Sequence, residues 1–330
     1  MKSFAHVNVS SVDHALSVLE KYGQEACVMA GGQDLLFRIK KYLIKPECVV
    51  NLKTIPGLRY IRNDPMEVLR IGALTTLSEV ASAAEVRRRY SVLAQAAGGV
   101  ASPQIRNLGT IGGNICQDVW CWYLQAGFSC WKSEGQFCDL AGGDSRFYGS
   151  IMKGHLCLAS HASDTAPALA ALDARIHVAS PRGSRKIPIL DFLPGHVWVG
   201  RRLQCHILQP EEIVTEIEIP FRPTQSTYLK FALRKSWDFA LASVAVSTVI
   251  EDRICRDARL ILGGIATHPY RSQEAEALLI GRKIDESVAS EAAEMALREA
   301  KPLKMNGYKV DMSKALIRRA LLAVANDKGP

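Results

Sequence analysis

Five of the nine cysteines in this 330-residue chain, Cys116, Cys121, Cys130, Cys138 and Cys157, fall in one irregular stretch. Four of them give the pattern C-x8-C-x7-C-x18-C in glycine-rich, aromatic sequence. Thiolate sulfur binds zinc and iron–sulfur clusters, and four such ligands complete a tetrahedral ion or a four-iron cube. The spacing is more open than the Cys-x2-4-Cys pairs of a zinc finger or ribbon, which favours a cluster and leaves zinc as the alternative. Trp120, Trp122, Tyr123, Phe128 and Trp131 are expected to form an apolar jacket that limits solvent access. Cys116 follows a glycine turn and reads as a non-ligand. Cys27, Cys48, Cys205 and Cys255 sit in apolar or strand-like runs and read as core. His155 and His161 flank Cys157 as outer groups or a substitute ligand; the adjacent Cys205-His206 is the one pair of these that could suggest a nucleophile, and its reading as core is favoured.

Two glycine turns offer a second kind of chemistry. Ala30-Gly31-Gly32-Gln33-Asp34-Leu35 stands between a strand and a helical segment, and Thr110-Ile111-Gly112-Gly113-Asn114 is a second glycine turn. Such a turn presents backbone N–H groups to an anion, so a diphosphate fits there; a plain tight turn is the alternative. The first is neither a P-loop nor the three-glycine dinucleotide fingerprint. Two turns separated by two small units suit one ligand clamped between them. Lys230, Arg234, Lys235 and Asp238 form a charged group that either stabilises negative charge on a reduced flavin or makes a surface ion pair.

The elements that must carry these groups follow from periodicity and caps. Helices are predicted over 12–22, 35–40, 77–81, 85–97, 166–172, 272–279, 287–300 and 311–325, and strands over 26–30, 48–52, 68–72 and 213–220. A hairpin turns through Pro181-Arg182-Gly183. The opening sixty residues read as a βαβ-type unit, a second unit starts near Tyr60, and the last third reads as antiparallel strands backed by helices. The segment from Pro220 to Pro223 is the best boundary.

With 48% hydrophobic and 22% charged residues the chain is an ordinary globular protein. Its net charge of +8 comes from short groups such as Arg87-Arg88-Arg89 without interleaved aromatics, which speaks against nucleic acid. The sequence shows no membrane-length apolar run and no signal-peptide pattern, so a cytoplasmic location is expected, with periplasmic export through a partner's signal left open. The odd cysteine count argues for thiols or metal ligands over disulfides.

Ala30 to Leu36, Gln104-Ile105-Arg106-Asn107, Thr110 to Ile115, Ser163-Asp164, the segment from Lys230 to Ala240, and Asn306 to Val310 with Lys314 to Arg319 together resemble the FAD-binding subunit of molybdenum hydroxylases, the xanthine dehydrogenase family. The resemblance spans nearly the whole chain. It implies an α+β chain: a vanillyl-alcohol-oxidase (PCMH)-type FAD-binding domain of two subdomains, 1–59 and 60–222, and a C-terminal α+β domain of the CO dehydrogenase flavoprotein type over 223–330. By motif it implies FAD contacts from Ala30, Gly31, Gly32, Gln33, Asp34 and Leu35, and from Thr110, Ile111, Gly112, Gly113 and Asn114. Asp164 would contact the ribityl or adenosine side, and Lys230 would lie near the ring. Gln33 stands where relatives often carry threonine or asparagine, so the contact expected there is through the backbone.

The cysteine segment, at about 116–160, resembles the insertion in the β subunit of 4-hydroxybenzoyl-CoA reductase and in the flavin subunit of bacterial periplasmic aldehyde oxidoreductase. That implies a [4Fe-4S] cluster on Cys121, Cys130, Cys138 and Cys157. The expected role is electron transfer between a molybdenum-cofactor large subunit, a small [2Fe-2S] subunit and an external partner (NAD, ferredoxin, quinone or oxygen), in a heterotrimer or a dimer of heterotrimers. Catalytic acids or bases for the organic substrate are not expected here. A self-sufficient flavin dehydrogenase or oxidase and a zinc-loop interaction protein are the competing readings.

Overall fold

The computed structural model describes residues 2–64, 68–133, 135–152, 154 and 156–326; His155 lies outside them. The first strand, β1 (Ala5–Asn8), leads to α1 (Val12–Tyr22), whose start is fixed by Ser11 accepting the N–H of His14 at 3.0 Å. Ala15, Leu16 and Leu19 make its buried face. Strand β2 (Ala26–Met29), helix α2 (Leu35–Lys40) and strand β3 (Cys48–Asn51) complete the first unit. Its three strands are parallel, in the order β1-β3-β2. Parallel pairing places the glycine turn at the carboxyl end of β2, where open α/β sheets present their ligand crevices.

The second unit opens with β4 (Ile61–Asn63) and β5 (Leu69–Gly72). Four short helices follow: α3 (Leu77–Ser82), α4 (Ala84–Arg89), α5 (Ser91–Gly98) and α6 (Pro103–Leu108). The single helix expected over 85–97 is broken at Tyr90, which leaves helical geometry (φ −136°, ψ 48°) while its ring is buried in the core. Then come α7 (Ile111–Ile115), α8 (Trp122–Gln125) within the cysteine segment, and α9 (Thr165–Ala171). The predicted hairpin is β6 (Arg175–Ser180) and β7 (Gly183–Pro188), followed by α10 (Ile189–Phe192), the ribbon β8 (Val197–Val199) and β9 (Arg202–Gln204), and β10 (Ile213–Ile219). The five strands run in the order β4-β5-β10-β6-β7, antiparallel throughout.

The third unit is a four-stranded antiparallel sheet of β11 (Gln225–Phe231), β12 (Ala242–Glu251), β13 (Ile254–Gly263) and β14 (Tyr270–Arg271). It packs with α11 (Gln273–Leu279), α12 (Glu286–Ala296) and α13 (Tyr308–Asn326). The core of the second unit takes in Tyr228, Ala245 and Ile261 of this sheet, and every residue of α9 is buried. Asn306 and Lys309 tie α13 back to the end of the cysteine segment: Lys309 Nζ donates to the carbonyls of Phe147, Gly149 and Gly264 at 3.1, 2.9 and 2.7 Å. Among the described residues no helix is long and apolar enough to cross a membrane.

Candidate functional site: a cavity between two glycine turns and a cysteine segment

The two glycine turns meet. A Cβ built on Gly31 would stand 2.2 Å from the carbonyl oxygen of Leu108 and 2.9 Å from Gly109 Cα, so only glycine permits this approach. Gly112 is pressed on Ala73 in the same way, at 2.9 Å, and Gly32 holds φ +74°. Between the turns lies a cavity of about 1480 Å³, larger than the usual ~300–1,000 Å³ of a small-molecule site.

Ala30, Gly31, Gly32, Gln33, Asp34, Leu35, Thr110, Gly112, Gly113, Asn114 and Asp164 all line this cavity. Ile111 and Lys230 do not. Ile111 is fully buried in the core beneath, and Lys230 stands behind Asp164.

The turns differ in what they offer. Among the described residues no protein acceptor meets the N–H groups of Gly32 and Gln33. The second, expected as a turn, is the short helix α7 capped by Thr110; there Ile111 N–H donates to Thr75 O at 2.9 Å and Gly112 N–H to Ala73 O at 3.0 Å. Gly113 N–H donates to Thr110 Oγ1 at 3.1 Å, and Asn114 N–H to Thr110 O at 2.8 Å. Its backbone donors are spent on its own fold, so its contribution is close approach and side chains. Asn114 Oδ1 accepts both the Ser163 and the Thr165 hydroxyl at 2.6 Å, which joins Ser163-Asp164 to this turn and leaves the Asn114 amide donors to the cavity.

Asp164 is buried with both oxygens engaged: Tyr228 Oη donates to Oδ1 at 2.8 Å and Lys230 Nζ to Oδ2 at 2.7 Å. Lys230 also donates to the carbonyls of Gly99 at 3.1 Å and Asp238 at 2.9 Å. Burial outweighs the ammonium and raises the Asp164 carboxyl above its ordinary range. The other charged neighbours form a turn: Arg234 N–H donates to Asp238 Oδ2 at 3.2 Å, and Tyr148 Oη to Asp238 Oδ1 at 2.7 Å.

Cys121, Cys130, Cys138 and Cys157 pack in one apolar cluster with Val119, Leu124, Leu140 and Leu203. Tyr123 and Trp131 belong to that jacket, whereas Trp122 and Phe128 are about half exposed, contrary to the expected shell. Backbone N–H groups of Tyr123 and Leu124 face the Cys121 sulfur, and that of Ala159 faces Cys157; such donors favour thiolate. Burial acts the other way and pushes both thiols up. Among the described residues the one set of three ligand atoms within 4.8 Å of one another is His177, Glu216 and Glu218, far from this segment in sequence. Among the described residues no three of the cysteine sulfurs lie within 4.8 Å of one another; what the segment offers is a soft donor set gathered in one apolar cluster, with backbone N–H groups at two of its sulfurs.

Sequence reading missed the charged link between cavity and cysteines. Asp118 Oδ2 lies 3.0 Å from Arg38 Nη2, and Asp118 Oδ1 lies 2.8 Å from Lys132 Nζ. Burial pushes the Asp118 carboxyl up, but Lys132 and Arg38 outweigh it and hold it well below the usual range. Cys205, expected as plain core, is buried in the cysteine cluster with its Sγ 3.6 Å from Asp118 Oδ1. Trp120 is sandwiched on the cavity wall between Phe37 and Phe239, at 5.0 and 5.3 Å. His161, four residues past Cys157, is buried with its Nδ1 accepting Ser163 N–H at 3.3 Å, and burial lowers it to about 3, so it is a neutral imidazole.

Comparison with known proteins agrees with this geometry. Residues 2–222 match the FAD binding domain in molybdopterin dehydrogenase, and residues 227–324 the CO dehydrogenase flavoprotein C-terminal domain. The chain is 31% identical over 285 residues to the aldehyde oxidoreductase FAD-binding subunit of Escherichia coli, covering 84% of this chain and 86% of that one. It is 26% identical over 326 residues to the glyceraldehyde dehydrogenase medium chain of Sulfolobus acidocaldarius, covering 98% of both. Among solved structures, the carbon monoxide dehydrogenase of Hydrogenophaga pseudoflava superposes with a TM-score of 0.78 at 26% identity, over 98% of this chain and 97% of that one.

Proposed function

The chain belongs to the family of FAD-binding domains of molybdopterin dehydrogenases, and from that premise we propose that it is the flavin-carrying electron-transfer subunit of a heteromeric molybdenum hydroxylase with a [4Fe-4S] cluster of its own. The observation that carries the flavin reading is the junction of the two glycine turns at Gly31 and Leu108 around a dinucleotide-sized cavity. The three units described above correspond, in this reading, to FAD subdomains 1–59 and 60–222 and a C-terminal domain 223–330.

Bound FAD can accept electrons singly from an iron–sulfur centre and hand them on in pairs. What the chain supplies is binding, orientation and electrostatics. The open N–H groups of Gly32 and Gln33 would hold the diphosphate, with Ala30, Asp34 and Leu35 shaping that wall. Thr110, Gly112 and Gly113 would allow the cofactor to approach the second turn closely, while Ile111 anchors the turn from below. Asn114 would donate its side-chain amide, and Asp164 would accept from the ribityl or adenosine hydroxyls. Lys230, which holds Asp164 at 2.7 Å, would lie near the flavin ring. Cys121, Cys130, Cys138 and Cys157 would hold the cluster in their apolar jacket. Organic substrate chemistry belongs to the molybdenum subunit, and a small [2Fe-2S] subunit would connect the two.

The test is the full chain purified without oxygen. Acid-released flavin that co-chromatographs with FAD at about one per chain, about four irons with equal sulfide, and co-purification of two further subunits are expected. Flavin-free protein sinks the flavin reading, and zinc in place of iron sinks the cluster reading.

A further inference from the structure

Lys132 lies two residues past Cys130 with its side chain 3% exposed. Its ammonium is 2.8 Å from Asp118 Oδ1 and also donates to the carbonyl of Leu203. Asp118 is itself fully committed: Arg38 binds Oδ2, and the N–H of Val119 donates to Oδ1 at 2.8 Å. Arg38 continues the chain of charge to Asp34, 3.8 Å away, on the cavity wall. The array Asp34, Arg38, Asp118, Lys132 alternates in sign. Its cationic end stands against the cysteine cluster: Leu203, whose carbonyl Lys132 binds, and Cys205, whose Sγ is 3.6 Å from Asp118 Oδ1, both pack with Cys121, Cys130, Cys138 and Cys157.

An ammonium inside an apolar shell is expensive to bury unless something nearby is negative. Asp34 and Asp118 balance Arg38 and Lys132 in sum, but the array ends in the ammonium on the side of the cysteines. A negatively charged sulfur-rich group bound by those cysteines would meet that positive end. Four thiolates around an iron–sulfur core leave it anionic, and each added electron makes it more so. A fixed positive charge held out of water stabilises the more negative state, and so raises the reduction potential.

We propose that Lys132, positioned by Asp118, sets the reduction potential of the metal group bound by Cys121, Cys130, Cys138 and Cys157, and that the Asp118–Arg38 contact fixes this charge to the flavin cavity. The proposal rests on the iron–sulfur reading given above. The couple concerned is one electron taken up by the cluster from an added reductant, with no bond made or broken.

The test is a potentiometric titration of the full chain, purified anaerobically, reading the cluster by electron paramagnetic resonance and the flavin by absorbance. Lys132→Met is expected to keep its iron and flavin. At the same poise its reduced-to-oxidised cluster ratio falls about tenfold or more, which for a one-electron couple is a downward shift of about 59 mV or more. Lys132→Arg, which keeps the charge, stays near the wild-type ratio. An unchanged ratio in Lys132→Met overturns the proposal. So does loss of iron in both Lys132→Met and Lys132→Gln, which would make the residue structural. Wild-type protein without iron fails before any variant is made and overturns the cluster reading together with this one.

Discussion

Gly31 and Asp164 show what single residues contribute to the site. Gly31→Ala would drive a methyl group into the Leu108 carbonyl at 2.2 Å, with backbone on both sides and no flexible side chain to yield. The turns must separate, at a cost of about 1–3 kcal/mol; thermal unfolding should move down and flavin content should fall below one tenth of wild type. Asp164→Ala removes the carboxylate from Tyr228 and Lys230 and leaves a buried ammonium unpaired, on the order of 3 kcal/mol. Adding Lys230→Met to that variant should restore much of the stability and none of the flavin affinity, measured by denaturant unfolding and flavin titration. Recovery of both would assign Asp164 a packing role alone. The glycine pairs were legible in the sequence because the need for a close turn leaves few alternatives to glycine. The Arg38–Asp118–Lys132 link was not, because its members lie on separate elements and only the fold brings them together.

At the scale of the element, the central antiparallel sheet carries a buried charge ladder. The alternation of Ile213 to Ile219 reads as a strand and leaves open how Glu216 and Glu218 are accommodated. Both are 8% exposed, because Arg70 on β5 and Lys186 and His177 on the hairpin close over them. Arg70 and Lys186 already supply positive charge there, so Glu216 and Glu218, with His177 bonded to Glu218, form an ion-pair knot. Burial raises the Glu218 carboxyl, but Lys186 and His177 outweigh it and lower it to about 2. A carboxyl lowered in the folded state adds stability above its unfolded value of about 4.5 and loses it as the pH falls towards 2. Glu218→Gln should therefore cost about 1–2 kcal/mol at neutral pH and much less near pH 2, as urea unfolding at the two pH values would reveal. A loss of equal size at both would show that the charge is immaterial. Strand existence was readable from periodicity; which face a half-polar strand buries depended on its neighbours' long side chains.

At the scale of the molecule, motif boundaries and physical boundaries differ. The sequence places its division at Pro220 to Pro223, and the two family matches meet there, at 222 and 227. The core does not stop at that point: Tyr228, Ala245 and Ile261 pack in the same cluster as Leu93, Leu169 and Ile217. Tyr228 and Lys230 hold Asp164 from the far side of the division, and Trp237 N–H donates to Ala101 O at 2.9 Å. A chain ending at residue 222 loses these partners and bares the packed face of α9, whose small residues suit close approach to β12 and β13. It is expected to retain no flavin and to bind a hydrophobic dye strongly. Adding residues 223–330 as a separate chain should restore flavin binding if the two pieces fold on each other. Stoichiometric flavin in the short chain alone would show that the two N-terminal units suffice, and that the C-terminal domain serves assembly and not the cofactor.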